Sequence, residues 1–226
     1  MKTELILLSE SYEKSPIIKS LVQLIPGGGS VDSYLTTKLN NMKAERMKIF
    51  FDKLQSGQQE LSENIIETND FLHAYFCTVD YVLRTKSEDK IKRFAEILLG
   101  LAANKINFNE FEEYISVFNE LSDREFSLLF LKYQYEQKYL PEEGETEYRV
   151  NGEVQNPKQI TNLYWKDFKE EVINKIGIKP EDFNPMLIRI QRTGCYSTHK
   201  GYWDEQLEED GNTTSLFKII IELVTE

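Results

Sequence analysis

The stretch Gly177–Val224, GIKPEDFNPMLIRIQRTGCYSTHKGYWDEQLEEDGNTTSLFKIIIELV, decides how the chain is read, because its punctuation sets the order of its elements. Gly177 ends a preceding helix. Lys179-Pro180-Glu181-Asp182 opens a second one, with proline and acids in the first turn, where a missing N–H is harmless and negative charge suits the helix dipole. That helix runs to Arg192 and packs through Phe183, Leu187, Ile188 and Ile190. Gly194 suits the turn out of the helix into an extended run. An acidic hairpin follows, and Thr213-Thr214-Ser215 opens a last apolar helix packed through Leu216, Phe217, Ile219, Ile220 and Leu223.

Upstream, Ser122 and Glu125 have the spacing of a capping box, in which the hydroxyl takes the Glu125 N–H and the carboxylate reaches back to the cap. A helix through Phe126, Leu129, Phe130, Tyr133 and Tyr135 follows, then the acidic loop Pro141-Glu142-Glu143-Gly144-Glu145. Tyr148-Arg149-Val150 and Glu153-Val154-Gln155 flank Asn151-Gly152, the pair a type I′ hairpin turn prefers because both residues tolerate positive φ. Pro157 starts a helix through Ile160, Leu163, Tyr164, Phe168, Val172 and Ile176. The whole order from Ser122 to Glu226 resembles a winged helix at the level of fold, with no signature of one family. The resemblance implies a recognition module, which serves DNA readers, protein-docking platforms and structural spacers alike.

Charge separates those roles. A helix-turn-helix reader sets its second helix in the major groove and surrounds it with phosphate contacts, so bases should gather on that helix and on the wing. Lys175, Lys179, Arg189, Arg192 and Lys200 do outnumber Glu181 and Asp182. The wing opposes them with Asp204, Glu205, Glu208, Glu209 and Asp210 and no base. Each missing phosphate contact removes part of the counterion-release term that drives non-specific binding. A protein partner or self-association is therefore expected ahead of nucleic acid. If DNA is the partner, Lys179, Arg189, Arg192 and Lys200 should carry it.

The remainder reads as helices. Ser15-Pro16 opens a short helix bearing Ile17, Ile18, Leu21, Val22, Leu24 and Ile25, and Gly27-Gly28-Gly29 then breaks the chain, either as a hinge that lets this arm dock on its own chain or a second copy or as a simple tight helix corner. The same glycine turn lacks the Gly-Lys-Ser/Thr ending of a phosphate-binding loop. Val31, Leu35, Leu39, Met42, Met47, Phe50 and Leu54 form one face of a long helix ending at Gly57. Phe71 to Leu83 is apolar over most of its circumference and is expected at the centre of a bundle. Ser87-Glu88-Asp89 opens a helix with Ile91, Phe94, Ile97, Leu98 and Leu101 inside, and Asn109 begins a shorter one. The expected fold is mainly α: an arm over 1–30, a helical bundle over 31–121, and a winged-helix-like α+β module with small hairpins over 122–226.

Composition excludes several classes. With 226 residues and a net charge of −11 the chain can bury a proper core and repels anionic surfaces unless bases cluster. No apolar run approaches the ~20 residues that cross a bilayer, and Glu4 interrupts the N-terminal apolar run where a signal peptide tolerates no acid. Two cysteines fit a reducing compartment, and the expectation is cytoplasmic. His73-x3-Cys77 and Cys195-x3-His199 together would make a Cys2His2 metal set, but ligands so far apart match no common zinc spacing. His73, Cys77, Asp80 and Arg84 also share one stripe of a helix, where a thiol beside an imidazole suggests a nucleophile with its base and an i,i+4 ion pair on a wetted strip is the simpler account. No catalytic residue and no cofactor is assigned. The expected function is non-enzymatic recognition or regulation through protein contacts; a DNA-binding regulator is the first alternative, and an enzyme or zinc protein using the His73/Cys77 stripe the second.

Overall fold

A computed structural model describes residues 10–12, 14–25, 34–139, 148–150, 153–155, 157–198 and 211–225. The fold is mainly helical with two small antiparallel hairpins among these residues. Two units divide the chain, one ending at Ser116 and the other running from Val117 to Thr225. The boundary falls inside a helix.

The first unit contains α1 (Pro16–Gln23), α2 (Tyr34–Ser56), the single turn α3 (Glu63–Ile66), α4 (Asn69–Arg84), α5 (Glu88–Ala102) and most of α6 (Phe108–Glu120). Ile18, Leu21, Val22 and Ile25 of the arm are buried. Hydrogen bonds fix it: Tyr75 donates its buried hydroxyl to the Leu21 carbonyl at 2.6 Å, Tyr12 donates to Asp52 at 2.6 Å, and Ser15 to Gln58 at 2.8 Å. The arm therefore docks on its own chain. Gly27, Gly28 and Gly29, the expected hinge, lie outside the described residues.

The centre of this bundle is α5 rather than α4. Ile91, Phe94, Ala95, Ile97, Leu98 and Ala102 of α5 are all buried, and it packs on both α2 and α4. α4, expected at the centre, has two faces: Phe71, Ala74, Tyr75, Val79 and Val82 point in, while His73, Phe76, Asp80 and Arg84 are exposed. An aromatic count over the circumference misleads here because a ring such as Phe76 can lie half in solvent against a buried neighbour, here Tyr75 at 5.5 Å between centroids. The face expected on α2 is likewise divided. Met47, Phe50 and Leu54 are buried, whereas Leu39 and Met42 are exposed. Helix starts are signed by side chains: Thr68 caps α4, Ser87 caps α5, and Asn107 and Glu110 exchange bonds at the start of α6.

The second unit begins with the end of α6 and α7 (Asp123–Gln137), whose start is the Ser122–Glu125 capping box with both reciprocal bonds made. A hairpin of β1 (Tyr148–Val150) and β2 (Glu153–Gln155) follows, Val150 opposite Glu153. α8 (Pro157–Glu171) passes into a π-helical turn, Val172–Ile176, and stops at Gly177, whose φ of 69° is the left-handed conformation that favours glycine. A 3-10 turn, Pro180–Asp182, leads into α9 (Phe183–Gln191). β3 (Tyr196–Thr198) pairs with β4 (Gly211–Thr213), and α10 (Ser215–Thr225) closes the unit.

Three packing details differ from the pattern expected. On α9, Ile190 is buried and Ile188 exposed, because 183, 187 and 190 share the inner stripe. On α10, Phe217, Ile220, Ile221 and Val224 are buried, while Leu216, Ile219 and Leu223 flank them half-covered. On α7 the inner face is Phe126, Leu128 and Leu129 together with Glu125, Lys132 and Glu136. Three ionisable groups on a buried face need partners.

Candidate functional site

Lys132 has 0 % of its surface exposed. Its ammonium donates three hydrogen bonds, to Glu136 Oε1 at 2.7 Å, the Tyr164 hydroxyl at 2.7 Å and Asn212 Oδ1 at 3.2 Å, one for each of its protons. Glu136 in turn accepts the Thr213 backbone N–H at 2.8 Å on Oε1 and the Thr213 hydroxyl on Oε2. One ion pair thus joins α7, α8 and β4. A buried charge is tolerated only when paired and bonded in this way. Beside it, Tyr135 donates to Glu171 Oε2 at 2.5 Å, and burial first, then that carboxylate, pushes the phenol up to about 12. Every group here is spoken for within the protein, so the cluster positions the returning strand and offers no vacant bond to a ligand.

The sequence carried a signal for this cluster. Lys132 and Glu136 stand at positions i+7 and i+11 from Glu125, on the stripe that holds Leu128 and Leu129. An i,i+4 Lys–Glu pair is commonly an exposed one, and its partners Tyr164, Asn212 and Thr213 are distant in sequence.

At the other end of α7, Glu120, Ser122, Glu125, Arg189, Arg192 and Thr193 line an open depression of about 510 Å³. Glu125 is 4 % exposed and accepts a hydrogen bond from Arg189 Nε at 2.5 Å. Burial pushes its carboxyl up, but the bonds from Ser122 and from the Arg189 guanidinium outweigh burial and hold it below the usual carboxylate range. Arg189 is therefore anchored through Nε while its side chain stays about half exposed. Two acids and two arginines share the depression.

The remaining candidate residues are dispersed. Lys179 is exposed ahead of the 3-10 turn and Arg192 is exposed after α9, while Lys200, with the acids from Asp204 to Asp210, lies outside the described residues. Lys175 is paired with Glu171 at 2.5 Å. His73 and Cys77 belong to the first unit and Cys195 to the second, and His199 lies outside the described residues. Among the described residues no group of three or more His, Cys, Asp or Glu side chains is placed to hold a metal ion.

His73 Nε2 is 3.7 Å from a Glu112 carboxylate oxygen, and its ring stands edge-on to Phe108. Asp80 pairs with Arg84 at 3.0 Å across one exposed turn. Burial, then the Glu112 and Asp80 carboxylates, push the Cys77 thiol up, the opposite of an activated nucleophile. Cys195 is buried and its thiol is pushed up to about 11 by that burial, Thr193 offsetting only part. Both cysteines are free. No helix among the described residues is long and apolar enough to cross a membrane. No protein-family model, no curated protein and no solved structure matches the chain.

Proposed function

We propose that this chain is a non-enzymatic cytoplasmic protein that recognises or regulates a partner through protein–protein contacts, with residues 122–226 forming a winged-helix-like module. The order of helix, hairpin, helix, short helix, hairpin and helix supports the module. A count of two cysteines, both free, fits a reducing compartment, and neither thiol is activated as a nucleophile.

The observation that carries the reading is the Arg189–Glu125 pair. α9 is the helix that a duplex reader would lay in the groove, and the cation on its outward side is tied to a buried carboxylate. The surrounding depression balances two acids against two bases, which suits the mixed polar surface of a protein better than a row of phosphates. Ile188, 45 % exposed beside Arg189, adds an apolar contact of the kind that protein interfaces bury.

A photo-reactive amino acid at Ile188 of the full chain, irradiated in an extract of the cells that make the protein, tests this. The expected adducts are proteins. Adducts with nucleic acid in their place would overturn the reading in favour of a DNA-binding regulator that uses Lys179, Arg189, Arg192 and Lys200.

A further inference from the structure

We infer that the Leu39–Arg46 stretch of α2 is a docking face for an acidic amphipathic helix of a partner protein. This rests on the protein-recognition reading and gives it a second surface, on the first unit. From Leu39 to Arg46 of α2 none is buried, whereas Met47 is. Leu39 and Met42 are 47 % and 39 % exposed. Lone exposed apolar residues are ordinary on any surface. These two stand at i and i+3, and Lys43 and Arg46 continue the same face at i+4 and i+7, so the four side chains form one stripe within about a third of the helix circumference.

The chemistry of that stripe names its occupant. α2 carries Lys38, Lys43, Arg46, Lys48 and Lys53 against only Glu45 and Asp52, in a chain whose net charge is −11. Lys53 is taken by Glu96 at 2.6 Å, and Arg46 gives one N–H to the Leu83 carbonyl at 2.5 Å. Lys43 makes no ion pair with any described residue. Two apolar residues followed one turn on by two cations match a helix that presents two apolar anchors with carboxylates one turn away, packed side by side on α2. Complementary charge would set the register of such a helix and exclude partners of the wrong sign.

A photo-reactive residue placed at Leu39, and separately at Ile188, of the full chain decides the matter in cell extract, with cross-linked peptides sequenced by mass spectrometry. The expected result at Leu39 is a peptide from a partner protein in which acids recur at helical spacing beside apolar residues. Lys43→Glu should lower its yield at least tenfold, and Lys43→Arg should leave it within twofold. Thermal unfolding of each variant checks that the bundle is intact, and a variant that melts early is replaced by Met42→Ser, which should also lower the yield. Cross-linking to a second copy of this chain overturns the proposal, as does a yield indifferent to Lys43→Glu. Co-sedimentation with vesicles of phosphatidylserine and phosphatidylcholine that Lys43→Glu abolishes would replace the partner helix by a membrane. Protein adducts at Ile188 but none at Leu39 remove this proposal and leave the recognition reading standing; adducts at neither position remove both.

Discussion

Lys132 holds its charge in the interior because three oxygens surround it, and each of them is fixed by a different stretch of chain. Lys132→Met removes the cation and leaves Glu136 buried with only the Thr213 bonds, so it should cost about 3–5 kcal/mol in urea unfolding. Lys132→Met with Glu136→Leu should lose less than Lys132→Met alone, since no uncompensated charge remains. A single variant within 1 kcal/mol of the parent, on the order of an exposed pair, would contradict the burial. Glu125 makes a pH prediction. Its carboxyl is held low in the folded protein, so the stabilisation is complete above the ordinary carboxylate range and lost as the pH falls through and below it. Urea midpoints measured between roughly pH 6 and pH 3 should fall less steeply for Glu125→Gln than for the parent. The thiols give a third: Cys195, buried and pushed up to about 11, should react with an aromatic disulfide reagent only on unfolding, whereas half-covered Cys77 reacts slowly in the folded protein.

At the level of elements, the second unit is pinned where backbone geometry allows little choice. Gly177 has a φ of 69° and open space where a Cβ would stand, so Gly177→Ala should cost only the left-handed strain, about 1–2 kcal/mol. Gly211→Ala should be worse, since its Cβ would fall 2.1 Å from the Ser197 carbonyl oxygen across the hairpin. Backbone amide exchange at Tyr196–Thr198 should quicken in Gly211→Ala and remain unchanged in Gly177→Ala. The stop at Gly177, together with the Ser122 capping box and the strands on either side of Asn151-Gly152, was legible because each is local: a cap, a turn pair or a left-handed glycine acts within four residues. What packs against what was less legible. Apolar periodicity finds a face without saying how much of it is covered, which is why α4 read as central when α5 is, and why Leu39 and Met42 read as one face with the buried Met47, Phe50 and Leu54. Of the Lys132 cluster the sequence displays only the i,i+4 pair with Glu136, since Tyr164, Asn212 and Thr213 come from elements far along the chain.

Over the whole molecule, what the surface admits depends on where charge is free and where it is taken. The net charge of −11 is set against a basic α2 and a short run of bases around α9. At α9 the local cation is anchored to Glu125, and the hairpin that follows carries a run of acids in its sequence. A field of that kind should discourage a polyanion and admit a protein surface. Titration of the full chain with labelled duplex DNA, from low to physiological salt, tests this most directly. The account predicts no saturable binding even at low salt. Saturable binding that weakens steeply with salt, and whose salt slope drops when Lys179 and Arg192 are changed to Ala, would contradict it.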